Sequence, residues 1–219
     1  LKTNPDVKTP NLDRLAKRSV VFSRAYTASP AFNPSRAAVL SGLRPSTTGI
    51  YNNGGRWSHS KALVNAVQMP EHFRNNGYYT FWAGKLWHTG EDTMPPQERL
   101  EKMWDDMKFR NGGYGPFPRS VGVKHPPLQG AFFDYHIWDG PETDFSDVRN
   151  SRRVAEFLKT AHDKPFFAAF GLYRPHNPWT VPRRFFEMYE PEKLSLPPVR
   201  KNDLADLPPA GRRTARRRT

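Results

Sequence analysis

Apolar and polar positions along this chain switch between helical and strand spacing. "TPNLDRLAKRS" sets Leu12, Leu15 and Ala16 on one helical face, with Thr9 as N-cap and Pro10 at the first helical position. "VVFSRAY" then reads as a short buried strand, and "PSRAAVLSGL" as a helix that starts at Pro34 and stops at Gly42. "MPEHFRNNG" predicts another short helix with Gly77 as its stop, followed by a strand in "YYTFWAGK". The stretch from Glu98 to Met107 has helical spacing and carries Asp105 and Asp106. Asp147 to His162 returns to it through Val148, Arg152, Ala155, Phe157 and Leu158. "PFFAAFGLY" is a continuous apolar run of strand length, which fits a central strand covered on both faces. "VPRRFFEMY" predicts a last short helix.

Strands alternating with helices imply a layered α/β/α domain with a mainly parallel central sheet. In such folds sites gather beyond the carboxyl ends of the strands. Lys85 and His88 follow the "YYTFWAG" strand and His176 follows "FFAAFGLY", so all three are expected on one edge of the sheet. One partial domain is expected over residues 1–210. An irregular insertion covers about 91–147, and an unstructured basic tail occupies 211–219.

Six Trp, fifteen Phe and eight Tyr in 219 residues supply enough large apolar side chains for a real core. The formal charge of +13 invites a nucleic-acid reading, but Arg212, Arg213, Arg216, Arg217 and Arg218 crowd the tail and the remaining excess is spread out. No zinc-finger, homeodomain or RNA-recognition pattern accompanies it, so specific nucleic-acid binding is not expected. There is no cysteine, which removes disulfides and thiolate ligands. No apolar run reaches the roughly 18 residues of a membrane span, so no transmembrane segment is expected.

Three clusters could carry chemistry. In "NPSRAAVLSG", the start of a helix favours an anion, and Arg36 adds a planar cation suited to an oxyanion. An ordinary capped start with Arg36 in a surface pair explains those residues equally. In "GKLWHTG", Gly84 and Gly90 bracket a tight loop that presents Lys85 and His88 three residues apart. In "YRPHNPW", His176 is held between two prolines, and a packed loop histidine is the plain alternative. His72 falls in a helix, His59, His125 and His136 in loops, and His162 at a helix end, where a cation suits the dipole. No HExxH, CxxC, phosphate-binding Gly loop or GxSxG is present.

Together, "VKTPNLDRLAKRSVVFSRAY", "NPSRAAVLSGLRPSTTGIY", "MPEHFRNNGYYTFWAGKLWHTG" and "FFAAFGLYRPHNPWTVPRRFFEMY" resemble the sulfatases of the alkaline-phosphatase-like superfamily. The likeness is closest to the iduronate-2-sulfatase type. It implies an enzyme of sulfate esters whose nucleophile is a hydrated formylglycine made from the first residue of Cys/Ser-x-Pro-Ser-Arg. By position, Arg36 would hold the hydrate, Lys85 would bind sulfate or hydrate, His88 would assist sulfate expulsion and His176 would serve the leaving-group oxygen. A sulfated small molecule or sulfated glycan would be the substrate, Ca2+ the expected cofactor of full-length relatives, and the periplasm or exterior the usual location.

Phe32 occupies the nucleophile position, while Asn33, Pro34, Ser35 and Arg36 hold the motif in register. Formylglycine cannot form from phenylalanine, so the chain as written is expected to be inactive. The family's acidic metal-binding pairs fall before Leu1 and after Thr219. The resemblance therefore assigns no metal ligand within these residues and leaves the sheet with exposed edges. A non-catalytic binder of sulfated glycans or anions is one alternative. A phosphatase or phosphonate-ester relative in the same superfamily is another.

Overall fold

The computed structural model describes residues 6–90, 92–109, 113, 115, 135–195 and 201–216. Its helices are α1 (Pro10–Ala16), α2 (Phe32–Ser41), α3 (Pro45–Thr48), α4 (Lys61–Asn65), α5 (Met69–Asn75), α6 (Gln97–Met103), α7 (Ser146–Lys159), α8 (Arg183–Phe186) and α9 (Pro209–Arg216). Its strands are β1 (Tyr79–Gly84), β2 (Asp106–Phe109), β3 (Tyr135–Trp138), β4 (Phe166–Gly171) and β5 (Trp179–Pro182). They form two units. The larger takes its described residues from 24–115 and 140–177, and the smaller from 6–23, 135–139 and 178–216.

In the larger unit β1 pairs in parallel with β4 from Tyr79↔Phe166 to Gly84↔Gly171, and with β2 on its other side. Side chains along β1 alternate between the faces of the sheet. Tyr79 and Phe81 stack on Phe157 of α7, the Phe81 ring at 4.3 Å. Trp82 points the other way, into a cluster with Leu40, Trp87, Leu100, Met103 and Trp104. Phe167 of β4 packs on that same cluster and stacks at 4.5 Å on Phe73 of α5. Helices therefore cover both faces, which is the layered α/β/α architecture the spacing implied. Burying Phe81 and Trp82, 0% and 2% exposed, contributes on the order of 2–3 kcal/mol each. A second cluster of Ala37, Ile50, Trp57 and Leu63 ties α2 to α4.

Several expectations are corrected here. The central strand is β1, not β4: the order is β2-β1-β4, and Phe166 and Phe170 of β4 are each 38% exposed. Both segments are apolar runs, and only the number of paired neighbours decides which lies inside. "VVFSRAY" is not a strand, and Val20, Phe22 and Tyr26 are 80% or more exposed. Strand propensity there finds no ladder partner among the described residues. The helix read from Glu98 to Met107 stops at Met103, and Asp106 already starts β2. Asp105 accepts from Thr80 N and Oγ1 at 2.8 and 3.0 Å and pairs with Arg74, which draws the chain into the ladder beside β1.

Within the stretch read as an irregular insertion, α6, β2 and β3 are regular, and most of 110–134 lies outside the described residues. In the smaller unit β3 pairs in parallel with β5. His136, read as a loop residue, sits in β3. Arg183 of α8 donates to Asp139 at 2.7 Å. The stretch read as an unstructured tail is helical through Arg216. Pro209 opens α9, and Arg212 donates to the carbonyls of Leu207 and Ala205 at 2.7 and 2.8 Å. Among the described residues no helix is long and apolar enough to cross a membrane.

Candidate functional site

The site in the larger unit begins at the first turn of α2, which starts at Phe32 and not at Pro34. Asn33 accounts for the earlier start. Its backbone N–H donates to Asn53 Oδ1 at 3.0 Å, and its amide donates to the carbonyls of Asn52 and Gly55. Pro34 is tolerated in this turn because the first N–H groups of a helix lack intrahelical acceptors. Phe32 is thereby presented at the helix N-terminus, 48% exposed.

Arg36 reaches from α2 to the loop after β1, where Nη1 donates to the carbonyls of Leu86 at 2.6 Å and Lys85 at 3.2 Å. Lys85 leaves the carboxyl end of β1, its N–H donating to Gly171 O at 2.9 Å. Its ammonium lies 5.3 Å from the centre of the Phe32 ring and 5.6 Å from that of Tyr173, in a side chain only 4% exposed. Both contacts lie within cation–π range. His88 follows on the same loop, its carbonyl accepting Thr93 Oγ1 at 2.7 Å. His88 Nδ1 is buried and has no hydrogen-bond partner among the described residues. His176 arrives from the loop after β4, with its N–H on Tyr173 O and its Nδ1 2.6 Å from Asn177 O. That carbonyl assigns the proton to Nδ1.

The Phe32 ring centre lies 6.1 Å from that of His88 and 5.5 Å from that of His176. The structure thus gathers Phe32, Arg36, Lys85, His88 and His176 at the carboxyl edge of the sheet. The other described histidines lie elsewhere. His72 is in α5, His59 is in a 3-10 turn, and His162, just past α7, bonds Phe157 O at 2.8 Å. His125 lies outside the described residues. A cavity of about 460 Å3 beside the ring is lined by Thr27, Phe32, Ser35, Arg36, Val39 and Leu86, among others. A second, of about 210 Å3, touches Lys85, His88 and Tyr173. Sequence reasoning missed Asp147 and Tyr173, which brace this edge. Tyr173 stands within the quoted "YRPHNPW", whereas Asp147 looked like any first-turn acid.

The His88 imidazole titrates below the ordinary histidine value, first because burial disfavours its charged form, then because Lys85, Arg36 and His176 repel a further proton. Its folded value is depressed, so the unfolded chain takes up this proton first as pH falls. The stability tied to neutral His88 is present above the ordinary histidine value and is lost as pH falls through the lower, folded one. A bound anion should reverse the shift. Sulfate affinity is expected to rise between about pH 7 and about pH 5.5, with the His88 midpoint moving upward by NMR. An affinity independent of pH over that range would remove His88 from the site.

Calcium takes six to eight oxygen ligands. The groups acting on His88 here are instead two permanent cations and an imidazole. Among the described residues no group of three or more His, Cys, Asp or Glu is arranged to hold a metal ion. The residues do not fit calcium, and no chemical step is routed through it.

A parallel sheet between helices, with a helix N-terminus, arginine, lysine and two histidines at its carboxyl edge, defines an alkaline-phosphatase-like anion site. The sulfatase family matches residues 1–201, and the chain belongs to that family. A sulfatase from Formosa agariphila is 34% identical over 219 residues, 94% of this chain and 42% of the relative. Iduronate 2-sulfatase from Mus musculus is 30% identical, over 92% of this chain and 38% of the relative. The chain thus spans about two fifths of these relatives. The phosphonate monoester hydrolase of Agrobacterium radiobacter shares the fold at a TM-score of 0.60 and 19% identity, over 89% of this chain and 41% of that one.

Proposed function

We propose that this chain is the anion-binding part of a sulfate-ester hydrolase of iduronate-2-sulfatase type, and that as it stands it binds the sulfate group without cleaving it. The observation that carries the reading is the Phe32 ring packed among Lys85, His88 and His176, where the family's nucleophile belongs. An aromatic hydrocarbon has no lone pair to attack sulfur and no hydroxyl to expel sulfate. Lys85 and Arg36 remain placed to attract an anion, with neutral His88 and Nδ1-protonated His176 beside them. The phosphonate-ester alternative rests on likeness of fold alone.

The test joins mass spectrometry of the tryptic peptide from Ala25 to Arg36 with turnover of an aryl sulfate in the presence of calcium. A phenylalanine mass at position 32 and hydrolysis no faster than that of Arg36→Ala are expected. A cysteine or formylglycine mass, or robust turnover by the Phe32 chain, would overturn the non-catalytic reading.

A further inference from the structure

We infer that Asp147 is a positioning residue for this anion site, an assignment that rests on the sulfate-binding reading above. Asp147 lies in the first turn of α7, where a helix favours a carboxylate. Its two oxygens accept the N–H groups of Tyr173 and Arg174, one each, both at 2.8 Å. Because each oxygen is committed to a different consecutive amide, the carboxylate sets the direction in which the chain leaves β4.

Two members of the site depend on that direction. The Tyr173 carbonyl takes the His176 N–H at 3.1 Å, and the buried Tyr173 ring lies 5.6 Å from the Lys85 ammonium. Asp147 therefore acts on one imidazole and one ammonium through the backbone and ring of Tyr173. Arg174 adds a second strap: Nη1 donates to His176 O at 2.9 Å, and its guanidinium lies 5.9 Å from the ring centre of Phe145, the N-cap of α7. The helix that covers one face of the sheet is in this way tied to the loop that carries His176.

An asparagine at 147 can keep one of the two bonds, since its amide nitrogen is a donor facing a donor. Alanine keeps neither, and glutamate keeps both oxygens on a longer stem. The experiment records histidine Cε1–H NMR titrations of the 219-residue chain alongside calorimetry with inorganic sulfate. It compares wild type with Asp147→Asn, Asp147→Ala and Asp147→Glu, and uses His72 as internal reference.

Asp147→Asn and Asp147→Ala are expected to displace the His176 resonance and midpoint, leave His72 in place and weaken sulfate binding about tenfold. Asp147→Glu should recover most of the loss. If the alanine variant does not fold, the asparagine variant decides. A lowered melting temperature with an unmoved His176 resonance means a structural role only and overturns the inference. A wild-type chain that does not bind sulfate overturns the anion-binding reading instead, and the His176 resonance still decides what Asp147 does.

Discussion

Gly171→Ala is expected to cost about 4 kcal/mol or more, enough to remove most of the stability of an ordinary domain. A Cβ at Gly171 would stand 1.5 Å from the Lys85 carbonyl oxygen and 2.4 Å from its carbon, and both atoms are backbone. No rotamer change relieves such a contact, so β1 and β4 must part where Lys85 N–H meets Gly171 O. Gly84 opposes it across the ladder at φ 74°, and a Cβ there would stand 2.0 Å from Gly171 O. The two glycines permit the close approach from which Lys85 emerges into the site. Thermal unfolding followed by circular dichroism is the check, with Gly54→Ala as the control because its new Cβ meets only Asn52 Oδ1, at 3.5 Å. A Gly171→Ala chain that melts with the wild type would show that the strand ends do not approach as described.

Lys85→Met should abolish specific sulfate binding, weakening it at least about thirtyfold, while leaving the melting temperature nearly unchanged. The methionine keeps the apolar stem between the Phe32 and Tyr173 rings and removes only the ammonium, 4% exposed. A buried cation is costly to desolvate and is replaced by an apolar side chain of similar shape at little loss of stability. Calorimetry with inorganic sulfate reads the binding. Added salt should weaken it less than it weakens adsorption by the exposed arginines of the C-terminal stretch. If Lys85→Met retains wild-type affinity and deletion after Ala210 removes it, the anion is held by the tail and not by this site.

The correct and mistaken element assignments share a cause. "MPEHFRNNG" and "YYTFWAG" were legible because capping, proline and alternation are local properties. α5 is secured by Gln68 and Glu71 of its own capping box, and β1 shows its alternation in burial of its two faces. "VVFSRAY" carries equal strand propensity and forms none, because a strand needs a neighbour and propensity does not supply one. The aspartates at 105 and 106 looked helical until Thr80, twenty-five residues away, took hold of Asp105.

The sequence alone determined the layered α/β class, the family and the identity of Phe32, Arg36, Lys85, His88 and His176, because register within "NPSR", "GKLWH" and "YRPHNPW" is a matter of spacing. Only the tertiary structure decided that β1 is central, that Phe32 lies against two imidazoles and an ammonium, and that Asp147 braces the His176 loop. Those facts depend on contacts between segments far apart in the chain, formed by packing, where one carboxylate or one missing Cβ settles the distance between groups that local pattern leaves independent.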